Sequence, residues 1–111
     1  MIMAMLFGIS LNAHAEKISS PSPGIVCDPK AGFCVDNQGI AMGLTEVYLG
    51  KSVEENLQKS LGDGAGVSLD QYTLSNGVYC DSKEQQCYKD RYYPRTPDKF
   101  EHNFTHQIFN K

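Results

Sequence analysis

All four cysteines lie in a thirteen-residue pattern that the chain writes twice, 53 positions apart. The first copy is Ser22-Pro23-Gly24-Ile25-Val26-Cys27-Asp28-Pro29-Lys30-Ala31-Gly32-Phe33-Cys34, and the second is Ser75-Asn76-Gly77-Val78-Tyr79-Cys80-Asp81-Ser82-Lys83-Glu84-Gln85-Gln86-Cys87. Six of the thirteen positions are identical, which reads as an internal duplication. Turn-forming residues separate the two cysteines of each copy, so the simplest oxidised arrangement joins Cys27 to Cys34 and Cys80 to Cys87. Each bridge would clamp one β-hairpin across its strands, and pairing between the copies is the alternative. A four-thiolate zinc site is disfavoured, because structural zinc takes its cysteines from tighter knuckles. The C-x-x-C spacing of redox catalysis is absent.

A disulfide framework needs an oxidising compartment, and the amino terminus points to one. Residues 1–15 carry no charged side chain, run apolar from Ile2 to Ile9, and end in Ala13-His14-Ala15, the small-x-small pattern of signal-peptide cleavage. Residues 1–15 are therefore expected to be a signal peptide cut before Glu16. No Lys or Arg precedes the apolar run, a departure that bears on where the start codon lies. The run is about half the ~20 residues needed to span a bilayer, so no stable membrane insertion is expected after signal removal. The expected location is the periplasm or the outside of the cell.

The fold class expected is α+β: a small disulfide-stabilised domain with two Cys-clamped β-hairpins and two to three short helices. Residues 16–23, polar and Pro-rich, should be an extended lead-in. Residues 24–111 should form one domain from two hairpin-helix halves, 24–61 and 67–111. In the first half, Asp28-Pro29 opens a turn and Gly32 takes a positive φ before the return strand. Ile40, Leu44, Val47 and Tyr48 fall on one helical face, with Gly50 as a left-handed cap. Ser52 and Glu55 form a capping box for a second helix with Val53, Leu57 and Leu61 as its apolar stripe. These place helices at about 40–49 and 53–61. Residues 62–66, Gly-Asp-Gly-Ala-Gly, read as a linker and lack the phosphate-loop pattern. In the second half, Asn76-Gly77 signals a two-residue hairpin turn, and a three-stranded antiparallel meander follows. Phe100, Phe104, Ile108 and Phe109 recur at helical spacing. The tail Phe104-Thr105 to Asn110-Lys111 resembles Leu44-Thr45 to Gly50-Lys51.

Net charge is −3 with signs mixed along the chain, so the electrostatic footprint of a nucleic-acid binder is missing. The composition of a binding hot spot does occur, in the compact set Tyr88, Arg91, Tyr92, Tyr93 and Arg95. Competing with that reading is a bland one, in which the tyrosines cap the sheet and the arginines are solvated. His102 and His106 sit at helical i, i+4 spacing that could ligate a metal, though solvated histidines on a terminal helix are the simpler reading. No nucleophile elbow is present. Asp28 and Asp81 read as turn residues rather than a catalytic pair.

Several strings resemble a known family. Gly24-Ile25-Val26-Cys27-Asp28, Phe33-Cys34-Val35-Asp36, Tyr48-Leu49-Gly50-Lys51, Ser75-Asn76-Gly77-Val78-Tyr79-Cys80-Asp81 and Asp90-Arg91-Tyr92-Tyr93 are similar to the Fels prophage protein-like, or YcgJ, family. The resemblance covers nearly all of the chain beyond residue 15. It implies a small exported protein of Gram-negative bacteria and their prophages, and it brings no catalytic residues or cofactor with it. The function expected from the residues is a non-catalytic interaction module, inhibitor-like or immunity-like, whose partner is an envelope protein. A small envelope hydrolase, or a metal binder through His102 and His106, is the alternative.

Overall fold

The computed structural model describes residues 17–61 and 69–111; the apolar leader and the Gly-rich linker lie outside them. Four strands, β1 (Ser19–Ser22), β2 (Ile25–Asp28), β3 (Phe33–Asp36) and β4 (Gly39–Ile40), pair antiparallel in sequence order. Helices α1 (Met42–Leu49) and α2 (Lys51–Leu61) follow. A second antiparallel sheet holds β5 (Gln71–Thr73), β6 (Tyr79–Asp81) and β7 (Gln86–Tyr88). A 3-10 turn (Pro97–Lys99) and helix α3 (His102–Phe109) complete the chain. The class is α+β, as expected, and the disulfides are the local ones. Cys27 faces Cys34 across β2 and β3, and Cys80 faces Cys87 across β6 and β7; each pair is directly opposed and bridged.

Behind each bridged cysteine the two halves repeat one hydrogen-bonding device. β4 ends at Ile40, where the ladder alongside Cys34 would otherwise stop. Ala41 donates its N–H to the Cys34 carbonyl (2.9 Å), and Cys34 donates its N–H to the hydroxyl of Thr45 (2.9 Å), which donates back to the Ala41 carbonyl (2.8 Å). At the second bridge, Glu101 N–H reaches the Cys87 carbonyl (2.8 Å), Cys87 N–H reaches the Thr105 hydroxyl (2.8 Å), and Thr105 donates back to the Glu101 carbonyl (2.7 Å). A buried threonine in the first turn of a helix thus completes the ladder of a β-hairpin. Valine has nearly the same shape and no oxygen, so Thr45→Val or Thr105→Val would leave a buried cysteine N–H without an acceptor. Each is expected to cost about 2 kcal/mol in urea unfolding, and the two should add because no partner is shared.

One hydrophobic core joins both sheets. Val26, Phe33 and Val35 from the first sheet, Tyr72, Cys80 and Cys87 from the second, Leu57 from α2, and Ile108 and Phe109 from α3 belong to it. The Phe33 and Tyr72 rings meet edge-on at 6.0 Å. Ile40 N–H donates to the Leu69 carbonyl (2.8 Å), bringing the edge of the first sheet beside the chain entering the second. That approach requires glycine before it. Gly39 has φ +120°, and a Cβ there would lie 2.2 Å from the Leu69 oxygen.

Several expectations need correcting. Ser19–Ser22, expected as part of an extended lead-in, is extended but also pairs with β2 as an edge strand, a position where Pro21 is tolerated. The helices run 42–49 and 51–61 rather than 40–49 and 53–61. Glu54 N–H bonds the Gly50 carbonyl, so α2 already runs from Lys51 and Ser52 lies inside its first turn rather than capping it. Gly50 has φ 104° and ψ 161°, outside the left-handed helical cap geometry. The apolar face assigned to α1 points partly outward: Val47 is 73 % exposed, because the docking of Thr45 turns Met42 and Thr45 inward. The second hairpin turn has three residues, Ser75-Asn76-Gly77. Leu74 N–H pairs with the Val78 carbonyl, Gly77 N–H returns to the Leu74 carbonyl, and Gly77 takes φ 94°, a turn followed by a bulge at glycine. Phe100 is not part of the terminal helix; it bridges Tyr88 as an extended residue, and α3 starts at His102.

Candidate functional site

Side chains alternate across a strand, so turning the bridged cysteines of β6 and β7 toward the core sends their neighbours the other way. Tyr79 and Tyr88 are directly opposed, with ring centroids 6.2 Å apart. Both are buried, yet neither belongs to the shared core. Their counterparts in the first hairpin, Val26 and Val35, do belong to it. The second hairpin therefore carries an aromatic outer face that needs a cover.

Residues 89–99 are that cover. The loop is closed at its base by the Tyr88–Phe100 bridge and by Lys89 N–H donating to the Lys99 carbonyl (2.7 Å), which makes it a compact Ω-like loop. Lys99 Nζ lies 3.3 Å from Asp90 Oδ1 and 3.2 Å from the Tyr92 carbonyl, tying the two limbs together. The N–H of Tyr92 bonds the Asp90 carboxylate (3.0 Å); that bond, with Lys99 beside it, holds the carboxyl below its usual range. The Thr96 hydroxyl does the same for Asp98. The Tyr93–Pro94 peptide is cis.

Arg95 occupies the centre. Its Cζ lies 4.4 Å from the Tyr79 ring centroid and 4.2 Å from that of Tyr93, so the guanidinium is held between two aromatic faces, with the Tyr88 ring at 5.7 Å. The Nη2 group donates to the Arg91 carbonyl at 3.3 Å, while Nε is sequestered with no hydrogen-bond partner. Arg91 lies 5.4 Å over the Tyr92 ring. The Tyr88 hydroxyl donates to Glu84 Oε1 (2.8 Å), and Phe100 meets the Tyr88 ring edge-on at 5.6 Å. Burial, reinforced by that bond to Glu84, pushes the Tyr88 phenol up to about 12. Burial raises Tyr79 as well, with the Arg95 charge pulling partly against it.

The five residues singled out in the sequence thus share one region but not one role. Tyr88 is a buried floor, Arg95 is the half-buried centre, and Arg91, Tyr92 and Tyr93 are exposed, the two tyrosines at 61 % and 76 %. Sequence reasoning missed Tyr79, Glu84, Lys99 and Phe100. Tyr79 was readable: it stands one residue before Cys80 as Tyr88 stands one after Cys87, and the bridge makes them opposite. Elsewhere, His102 and His106 are both exposed on α3, and His106 Nδ1 lies 3.3 Å from the Lys111 carbonyl. Among the described residues no group of three or more His, Cys, Asp or Glu is placed to hold a metal ion. No helix among them is long and apolar enough to cross a membrane. A cavity of about 620 Å³ between the β1–β2 turn and the end of α3 carries Asp36 and His106 on its wall.

The sequence model of the YcgJ protein matches residues 18–109, which takes in both bridged hairpins, the two threonine devices and the Arg95 loop. The chain belongs to the YcgJ family. An Escherichia coli (strain K12) protein with the name "Uncharacterized protein YcgJ" is 43 % identical over 92 residues, covering 82 % of this chain and 70 % of that one. No solved structure matches. Within the YcgJ frame, the two bridged hairpins and the threonine-bearing helices α1 and α3 repeat, whereas α2 and the loop over the second clamp have no counterpart in the other half.

Proposed function

We propose that this YcgJ-family chain is a non-catalytic interaction module of the cell envelope that engages a protein partner through the loop over its second hairpin. The observation that carries the reading is the pair of exposed tyrosines, Tyr92 and Tyr93, on a loop closed at its base and stacked on a guanidinium. Large aromatic rings left in water on a pre-ordered support give contact area with little ordering entropy lost on binding. The first hairpin has no such cover, so the loop is an addition to the clamp rather than a part of it. Two disulfides support an oxidising location, the periplasm or the exterior, and an inhibitor-like or immunity-like role fits a small stapled scaffold presenting one loop.

The test is capture from envelope extract with the tagged, oxidised chain, set against the double variant Arg91→Ala/Tyr92→Ala. Neither side chain is buried, so the variant should melt like the parent. Loss of two central contacts costs about 2 kcal/mol or more, a drop in capture of about 30-fold. A co-purifying protein retained equally by both chains would refute the site.

A further inference from the structure

The charge on the loop contrasts with the charge on the rest of the chain. Residues 89–99 hold four of the ten Lys and Arg but only two of the thirteen Asp and Glu, in a protein of net charge −3. Both loop carboxylates are already engaged, Asp90 by Lys99 and the Tyr92 N–H, Asp98 by Thr96. Of the acids beside the tyrosines on the hairpin below, Glu84 accepts from Tyr88, and Asp81 accepts from Gln71, Lys83 and Glu84. The salt bridges among the described residues are Lys83 with Asp70 and Lys99 with Asp90; neither includes Arg95.

Arg95 is thus a half-buried cation with no carboxylate partner among the described residues, and part of its hydrogen-bonding capacity is unspent. A guanidinium carries five N–H donors. Here one long bond goes to the Arg91 carbonyl, the Tyr79 hydroxyl engages the guanidinium as well, and Nε is sequestered without a partner. Two rings cover its faces at 4.2 and 4.4 Å, so a ligand can reach it only at the Nη edge. A cation partly stripped of water and held flat is a receptor for a planar two-oxygen acceptor, which it can meet with paired hydrogen bonds. A tetrahedral phosphate would call for a second cation out of that plane, and Arg91, whose carbonyl Arg95 bonds, is drawn over the Tyr92 ring while Lys99 is tied to Asp90.

We propose that the Nη edge of Arg95, held between Tyr79 and Tyr93, is the receptor for a carboxylate on an acidic peptide segment of the partner, an inference that rests on the interaction reading above. Tyr92 and Tyr93 flank the slot and contact the uncharged part of the same segment. The carboxylate is an Asp or Glu side chain or a chain terminus.

The test is a titration of the isotope-labelled, oxidised full chain, read at the Arg95 Nε–H resonance. Four probes separate the sources: acetylated and amidated tetra-glutamate, acetylated tetra-glutamine with a free carboxyl terminus, the same peptide amidated, and an amidated phosphoserine peptide. Binding by the first assigns a side-chain carboxylate, and binding by the second assigns a terminus. In either case Arg95→Lys, which keeps the charge but not the fork, should weaken binding at least about tenfold. Lys59→Ala, on the exposed side of α2, should not. Failure of both carboxylate probes to move the resonance overturns the proposal, as does equal binding of the amidated tetra-glutamine or tighter binding of the phosphopeptide. The wild-type titration stands even if Arg95→Lys folds poorly. The two readings fail separately: partner capture that is lost in Arg91→Ala/Tyr92→Ala but intact in Arg95→Lys would remove the carboxylate receptor and leave the interaction surface.

Discussion

Removing both disulfides is expected to leave the chain unfolded or barely folded at room temperature, whereas removing either one leaves it folded but weaker. Each bridge closes a loop of eight residues, Cys27 to Cys34 and Cys80 to Cys87, and the chain-entropy relation gives about 2.5 kcal/mol for a loop of that length. Two bridges then supply about 5 kcal/mol, on the scale of the whole stability of a small domain. Urea unfolding of Cys27→Ala/Cys34→Ala, Cys80→Ala/Cys87→Ala and the quadruple variant measures this, and each single loss should lower the melting temperature by about 10–20 °C. The four sulfurs are buried, so a reductant should reach them only through opening of the fold. The pairs should differ in what else they disturb. The second bridge sets the register that places Tyr79 opposite Tyr88, so its loss should loosen the Arg95 stack and partner capture together. A quadruple variant that melts within a few degrees of the parent would mean that the threonine and aspartate networks hold the hairpins unaided.

How much of this was legible beforehand follows from which signals are local. Disulfide pairing, hairpin positions and the order of elements were readable because a motif of thirteen residues contains both the bridge and its turn. The inward face of α1 was not, because periodicity counts apolar residues and the residue that turns inward there is Thr45, a polar side chain spent on a backbone N–H eleven residues upstream. A hint was present: the tail alignment pairs Thr45 with Thr105, the two residues that perform the same task. Strand β1 was hidden by its composition, since Ser and Pro rarely make strands, and only pairing to β2 supplies the reason. At the candidate site the cluster of Tyr and Arg was visible as composition, while its order was not. Nothing local says that Arg95 stacks on Tyr79, sixteen residues away, because that contact exists only once the loop has folded back over the hairpin.

The other large loss should come from Asp28, whose side chain hydrogen-bonds from the first motif across to the second half. It is fully buried, at 0 % exposure. Its carboxylate accepts the Ala31 N–H (3.0 Å) inside its own turn, and the N–H (2.6 Å) and hydroxyl (2.9 Å) of Ser75 in the turn between β5 and β6. Three bonds to one carboxylate oxygen pair are strong individually, and their loss in Asp28→Ala is expected to cost about 3 kcal/mol in urea unfolding, discounted because the donors lie near the surface and can recover water. Asp28→Asn keeps the shape but sets an NH2 against one of the Ser75 donors, so about half of that loss should remain. Asp81 holds the same place in the second motif without the same duty: it accepts from Lys83, Glu84 and Gln71, all within its own half. Asp81→Ala should therefore cost less, about 1.5 kcal/mol, because its donors all lie in its own half and its loss breaks no bond between the halves. A double-mutant cycle separates the cases, because Ser75→Ala should couple to Asp28→Ala by about 1 kcal/mol and to Asp81→Ala by nothing measurable. Equal losses from the two aspartates, with no coupling to Ser75, would make Asp28 a turn residue like its counterpart and leave the shared core and the Ile40–Leu69 bond to join the halves. Unequal losses would show that duplication supplied the part and later packing gave one copy a second use.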